Sequence, residues 1–326
     1  MYRLPGFVLN CHGATPPLTA ARAPQRGGEG VDVERKSAGL DTIVGPAPPL
    51  DQVAHGITFG EGPVWDRRHG RFLFTDIIGD TIWQWVPGVG AEALIHPSSH
   101  ANGMTFDLQG RLVVAGWSAR TIWRVEHDQS FTTIASRYQG KKLNSPNDIV
   151  VRSDGTIYWT DSPGGLVIPG MVGEDLQRHL DIQGVFCLTP SGDVHLAIAD
   201  CVYPNGLAFS KDESLLYVND TRLGLVRAFD VAKDGSVGAG RLFHKLSGNE
   251  PGVADGMKVD VEDNVYCTGP GGIHIMDRNG DLLGRLLLPG HCTNLAWGDD
   301  DWRSLYVTTY HSVVRTRLNI PGVSVW

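Results

Sequence analysis

The sequence has no long apolar run, no cluster of basic residues and no Cys-X-X-Cys pair. Because no apolar stretch approaches the length of a membrane span, we expect no membrane contact. Acidic and basic residues are mixed along the chain, whose net charge is −8. Without a basic stripe to neutralise phosphates, we expect no nucleic acid partner. The partner that remains is a small molecule, bound by a monomer or a homodimer.

Cysteine is also scarce. The five cysteines are odd in number and lie mostly inside apolar runs: Cys11, Cys187, Cys201, Cys267 and Cys292. This pattern favours buried free thiols over disulfides and so predicts a cytoplasmic protein, with the periplasm as the alternative. Residues 3–23 resemble a signal peptide only faintly, because their apolar region is short and is interrupted by Pro5 and Gly6.

Glycine is abundant instead, with 41 residues scattered among short apolar runs, which indicates many tight turns between short strands. Six copies of one unit follow one another: a polar residue, a short apolar run, a turn and a β-branched or aromatic run. The first runs are residues 62–66, 103–107, 148–152, 206–210, 256–260 and 294–298. The second runs are residues 71–76, 111–116, 156–161, 215–220, 264–269 and 304–309. Units about 40 to 60 residues apart are typical of four-stranded blades.

We therefore predict an all-β fold, a six-bladed β-propeller over residues 50–326, preceded by a loosely ordered arm at residues 1–49. Residues 50–58 are expected to pair with the last blade and latch the ring. The longest gap between units contains residues 166–181, which we interpret as an inserted loop.

The residue just before each first run is polar in every unit. These head residues are Glu61, Asn102, Asn147, Asn205, Asp255 and Thr293. In a propeller the first strand of each blade lines the channel, so the head residues would meet at one mouth of the axis. Asn-Gly and Asp-Gly also occur in ordinary turns, and any one position alone would favour that interpretation.

Six polar oxygen carriers at equivalent positions favour a central metal site. Two carboxylates and three carboxamides are suitable ligands for one divalent cation, because the carboxylates neutralise its charge. A ligand set without His or Cys favours Ca²⁺; Mg²⁺ and Mn²⁺ are the next alternatives and Zn²⁺ the last.

At these residues the sequence resembles the SMP-30/gluconolactonase/luciferin-regenerating family of six-bladed propellers, over about residues 50 to 322. The matching motifs are residues 61–65 (EGPVW), 143–151 (LNSPNDIVV), 154–161 (DGTIYWTD), 204–209 (PNGLAF), 254–257 (ADGM) and 294–298 (NLAWG). The chain departs from bacterial relatives at residues 116–119 (GWSA), where a His-containing segment is common, and at residues 162–165 (SPGG).

The resemblance implies one bound cation and lactone hydrolysis. It places metal ligands at Glu61, Asn205 and Asp255, and Asn147 as a fourth ligand or a substrate contact. It also implies that Asn102 faces the pocket. Asp255 is the expected general base.

Two more residues are predicted at the substrate. We expect Trp117 to stack on a sugar and His311 to lie at the pocket rim, while Asp76, Asp161 and Asp220 are interpreted as turn caps. The expected reaction is hydrolysis of an aldono-1,4- or 1,5-lactone, first of all gluconolactone. The sequence leaves open an organophosphate or aryl ester substrate at the same site, and a non-catalytic calcium-binding scaffold.

Overall fold

The computed structural model describes residues 30–168, 171 and 173–325. The predicted features of residues 1–29, among them Cys11 and the signal-peptide-like stretch, lie outside the described residues. The described chain begins with strand β1 (Asp32–Arg35), the short helix α1 (Leu40–Ile43) and strand β2 (Leu50–His55).

Six antiparallel sheets follow, and each is a blade whose first strand lines the channel. Blade 1 contains β3 (Gly60–Asp66), β4 (Arg71–Asp76), β5 (Thr81–Val86) and β6 (Gly90–Ile95). Blade 2 contains β7 (Met104–Phe106), β8 (Leu112–Gly116), β9 (Thr121–Val125) and β10 (Phe131–Ala135). A two-stranded hairpin follows blade 2, formed by β11 (Arg137–Tyr138) and β12 (Lys141–Lys142).

Blade 3 is interrupted by the helix α2 (Gly164–Val167) between its second and third strands. Its strands are β13 (Ser145–Val151), β14 (Ile157–Ser162), β15 (Gly184–Leu188) and β16 (Val194–Ile198). Blade 4 contains β17 (Pro204–Phe209), β18 (Leu215–Asp220), β19 (Leu225–Val231) and β20 (Val237–Lys245). Blade 5 contains β21 (Met257–Val259), β22 (Val265–Gly269), β23 (Gly272–Met276) and β24 (Leu282–Leu287). Blade 6 begins with β25 (Cys292–Gly298), β26 (Ser304–Thr309) and β27 (Ser312–Arg317). The predicted six-bladed propeller is confirmed.

The ring is closed by a strand that precedes blade 1 in the chain. β2 pairs antiparallel with β27, with Leu50 opposite Thr316 and His55 opposite Ser312, and so becomes the outer strand of blade 6. Since one sheet then contains both ends of the propeller, opening the ring requires breaking a strand ladder. The expected latch at residues 50–58 is confirmed.

The described part of the N-terminal arm, residues 30–49, packs against the propeller. β1 pairs with β24 as a fifth strand of blade 5, with Asp32 opposite Leu287. Leu40 and Ile43 of α1 are buried, at 0% and 2% exposure, in the core shared by blades 5, 6 and 1. The strand in this segment has only four residues, and the segment is rich in Pro and Gly. The sequence pattern therefore did not predict a strand here.

Aromatic side chains pack the blades against one another, as their strand positions predicted. The rings of Phe72 in blade 1 and Tyr306 in blade 6 stack with centroids 4.4 Å apart, and Trp65 stacks on Tyr306 at 5.9 Å. None of the helices in the part of the chain that the structure describes could span a membrane. The four described cysteines are free, and three of them are buried.

We expect one buried histidine of blade 5 to make stability depend on pH. The Nε2 atom of His274 lies 3.0 Å from the carbonyl oxygen of Pro270, and burial lowers the pKa of His274 to about 4. Because the folded state then binds fewer protons than the unfolded state, stability is lost as the pH falls from about 6.5 towards 4. We expect His274→Gln, which keeps an N–H donor, to remove about 2 kcal/mol of the loss between pH 7 and pH 5.

Urea unfolding at pH 7, 6 and 5 measures this difference. The exposed His195→Gln is the matched control and should follow the parent protein at every pH. Parallel stability curves for His274→Gln and the parent would contradict the assignment.

Candidate metal centre and active site

The innermost strands are irregular where their head residues enter the channel. In β3 the register shifts between Glu61 and Val64, and in β13 it shifts between Pro146 and Ile149. β17 and β25 have the same irregularity near their first residues. A bulge interrupts the alternation of side chains between the two faces of a sheet. This recurring irregularity changes the direction of the head side chains relative to the side chains of the regular strand that follows.

A glycine follows the head residue in four blades, because neighbouring blades approach closely there. A Cβ on Gly103 would lie 2.6 Å from the carbonyl oxygen of Asn147, and one on Gly206 would lie 2.2 Å from that of Asp255. The N–H groups of the same glycines donate to those oxygens, at 2.7 and 2.9 Å. These dipeptides therefore join one blade to the next instead of forming ordinary hairpin turns.

The five predicted ligand and pocket residues at the blade heads are all buried. Their exposed fractions are 2% for Glu61, 2% for Asn102, 3% for Asn147, 5% for Asn205 and 9% for Asp255. The Oδ1 atoms of all three asparagines are buried and have no hydrogen-bond partner. Buried amide oxygens are paired in most proteins. The three unpaired oxygens in consecutive blades are therefore available to bind a cation or a substrate.

The two carboxylates at the heads both have raised pKa values. Burial, followed by the charge of Asp148, raises the pKa of Glu61 to about 7, although Gly62 and Asn294 donate hydrogen bonds to its Oε2 at 2.8 and 2.9 Å. Burial also raises the pKa of Asp255 well above its ordinary value, and the charges of Glu61 and Asp148 raise it further. A positive charge between these groups would relieve the repulsion.

The sixth blade contributes a different residue from the one expected. Thr293, its head residue, donates its hydroxyl to the carbonyl oxygen of Gly60 at 2.5 Å and therefore links blades 6 and 1. The next residue, Asn294, reaches the carboxylate of Glu61. In blade 3 the corresponding residue is Asp148, which is 2% exposed.

Sequence reasoning missed Asp148 and Asn294 as members of this cluster. The signal was present, because the residue after the head is glycine in four blades but Asp or Asn in blades 3 and 6. A Cβ on Gly256 would lie 2.1 Å from Oδ1 of Asn294, so this side chain fills space that the glycine leaves open. In the described part of the chain, no three His, Cys, Asp or Glu side chains form a metal cluster, so a cation here would need amide oxygens.

Trp117 lies beneath the inserted loop and does not present a face for sugar stacking. It is 3% exposed, packs with Ile77 and Met171, and donates its Nε1–H to the carbonyl oxygen of Met171 at 3.1 Å. A Cβ on Gly164 would lie 2.4 Å from its ring, so α2 packs directly on the indole. The sequence placed Trp117 in a loop, but only the fold of the insertion shows that the loop is covered.

His311 lines a surface groove beside blade 6, together with Tyr310 and His291. It is exposed, and its Nδ1 lies 3.2 Å from the carbonyl oxygen of Ile57. The neighbouring Tyr310 stacks on His291 with centroids 4.3 Å apart, and the charges of Asp255 and Glu61 help burial to raise its pKa.

The aspartates that end the second strands cap loops, as expected. Oδ2 of Asp76 accepts the backbone N–H of Thr58 at 3.0 Å, and Oδ2 of Asp220 accepts that of Val202 at 2.7 Å. Asp161 accepts the backbone N–H of the loop residue that precedes β13, at 2.8 Å. Each holds the segment that leads into the first strand of its own blade.

The fold and the site together define a six-bladed propeller with buried carboxylate and amide oxygens at its axis. The sequence profile described as the SMP-30/gluconolactonase/LRE-like region matches residues 59–311, and the chain belongs to this family. It is 31% identical over 313 residues to a gluconolactonase from Zymomonas mobilis, covering 89% of this chain and 87% of the relative. It is 28% identical to a pentonolactonase from Haloferax volcanii, covering 77% of this chain and 81% of the relative.

The fold of the chain is also similar to that of a solved gluconolactonase structure. The gluconolactonase of Xanthomonas campestris superimposes with a TM-score of 0.82 at 30% identity, covering 94% of this chain and 99% of that one.

Proposed function

We propose that this protein is a lactonase that uses one divalent cation, Ca²⁺ first of all, to hydrolyse a sugar lactone to its aldonic acid. Gluconolactone is the first candidate substrate. The relatives named gluconolactonase and pentonolactonase support lactone hydrolysis. The observation that carries the cation is the set of three unpaired asparagine oxygens together with two buried carboxylates whose pKa values are raised.

The residues fit a hard divalent cation. Glu61 and Asp255 supply negative charge, and Asn147 and Asn205 supply carbonyl oxygens, which is the donor chemistry that Ca²⁺ takes in proteins. The Nδ2 group of Asn205 donates to Oγ1 of Thr221 at 3.1 Å, which leaves its Oδ1 available. We assign Asn102, whose Oδ1 is also unpaired, to a substrate hydroxyl.

The chemistry requires a polarised carbonyl and a nucleophilic water. A bound cation would act as a Lewis acid on the lactone carbonyl and lower the pKa of nearby water. Asp255 accepts the proton of the attacking water, the ring C–O bond breaks, and the proton passes to the departing alkoxide oxygen. Glu61 supplies negative charge to bind the cation, while Asn102 and Asn147 orient sugar hydroxyls. His311 contacts substrate at the rim.

A substrate panel assayed with and without chelator tests the proposal. We expect gluconolactone or another aldonolactone to be hydrolysed with Ca²⁺, and EDTA to abolish more than about 90% of the activity until Ca²⁺ is restored. Full activity after complete metal removal would contradict the mechanism. Turnover of a phosphotriester or an aryl ester alone would change the substrate class, and turnover of none would favour a binding scaffold.

A further inference from the structure

A lysine enters the channel beneath the head residues. Lys258 lies in β21 of blade 5, and its Nζ donates to its neighbour's carbonyl oxygen at 2.9 Å. The same Nζ lies 3.5 Å from Oδ1 of Asn294 and 3.6 Å from Oδ2 of Asp148. Asp148 and Asn294 come from blades 3 and 6, so the ammonium joins three blades across the axis.

The lysine is linked to a proposed ligand through a single amide. Oδ1 of Asn294 accepts a hydrogen bond from Nζ of Lys258, and Nδ2 of Asn294 donates one to Oε2 of Glu61 at 2.9 Å. The positive charge of Lys258 accordingly favours ionisation of Glu61, and the negative charge of Asp148 opposes it. Oδ2 of Asp148 is buried and has no hydrogen bond, so its charge is balanced mainly by the ammonium.

The charges of this cluster leave room for one divalent ion. Three carboxylates, those of Glu61, Asp148 and Asp255, interact in the channel, and one ammonium, that of Lys258, opposes them. With all three carboxylates ionised, as cation binding requires, the net charge is −2. With Lys258 uncharged, the net charge would be −3, which favours a trivalent ion or a second cation.

We propose that Lys258 is a built-in counter-cation that sets the charge of the channel site, so that it holds a single divalent ion and disfavours trivalent ions. This inference rests on the proposed cation site and adds the residue that determines its charge selectivity. Lys258 is a positioning and selectivity residue, because it acts through Asp148 and Asn294 and not on substrate.

The test is calorimetric titration of the metal-free protein with Ca²⁺ and with Tb³⁺ at pH 8. The parent protein should bind one Ca²⁺. Because an ammonium within about 10 Å repels a divalent ion appreciably, Lys258→Met should bind Ca²⁺ at least about tenfold more tightly or bind a second Ca²⁺. The repulsion scales with ion charge, so the preference for Tb³⁺ over Ca²⁺ should rise by about a further threefold.

Two controls separate charge from structure. Lys258→Arg keeps the charge and should keep the parent affinities. Lys211→Met removes an exposed lysine that lines the same cavity as Lys258, and it should change neither affinity nor stoichiometry.

A double variant keeps the proposal testable if Lys258→Met alone does not fold. Asp148→Asn with Lys258→Met restores a net charge of −2 and should return Ca²⁺ affinity to within about threefold of the parent. Unchanged or weaker Ca²⁺ binding by folded Lys258→Met, with unchanged Tb³⁺ preference, would overturn this role while leaving the proposed cation site intact. A parent protein that binds neither ion would instead overturn the proposed function itself.

Discussion

Asp255→Asn is expected to lower the rate of lactone hydrolysis by about 10²–10⁴-fold at saturating Ca²⁺, since a positioned general base contributes about this factor. The backbone of Asp255 is fixed independently of its carboxylate. Its N–H donates to Oγ1 of Thr268 at 3.0 Å, and its carbonyl oxygen accepts the N–H of Gly206 at 2.9 Å. The variant should therefore keep the fold while losing the base.

The pH profile separates loss of the base from loss of metal. In the parent, activity should rise with pH through the pKa of the base and then level off. In Asp255→Asn the residual rate should continue to rise with hydroxide concentration, because no carboxylate remains to take the proton from water. Asp234→Asn, on an exposed turn, is the matched control. Parent-like turnover by Asp255→Asn with Ca²⁺ bound would refute the role of this carboxylate.

Glu61→Gln should stabilise the metal-free protein and weaken cation binding. The folded state raises the pKa of Glu61 from 4.5 to about 7, so stability is fully present below pH 4.5 and is lost as the pH rises to about 7. Glutamine does not ionise, and its amide oxygen can still accept the N–H groups of Gly62 and Asn294. In EDTA at pH 8 we expect the free energy of unfolding to increase by about 3 kcal/mol.

Urea unfolding with EDTA measures the stability of the metal-free protein. Urea unfolding with saturating Ca²⁺ measures how strongly the ion stabilises it. Ca²⁺ should stabilise the parent strongly and Glu61→Gln much less, because the variant lacks one of the two carboxylates proposed to bind the ion. The two proteins should have similar stability near pH 4 and diverge towards pH 8. The exposed Glu262→Gln serves as the control for an ordinary loss of charge. A metal-free Glu61→Gln variant less stable than the parent at pH 8 would show that the buried carboxylate is not under electrostatic strain.

The polar residues at the blade heads were recognisable because a repeat places equivalent residues at equivalent positions. Comparison of units within one chain gave all six head residues, and the family resemblance singled out Glu61, Asn205 and Asp255 among them. The burial of Trp117 could not be predicted in the same way. The sequence assigns it to a loop, but its burial depends on the inserted loop, which has no counterpart in the other blades.

The sequence by itself determined the number of blades, the latch at β2 and the ring of head residues, because short strand patterns and local turns repeat along it. Only the tertiary structure decided which side chains meet inside the ring. Asp148, Lys258 and Asn294 are far apart in the chain and belong to three blades, so their contacts depend on how the blades close around the axis. The same holds for β1, whose four residues become a strand only against the edge of blade 5. Local propensity specifies elements, whereas burial and charge between distant elements specify the site.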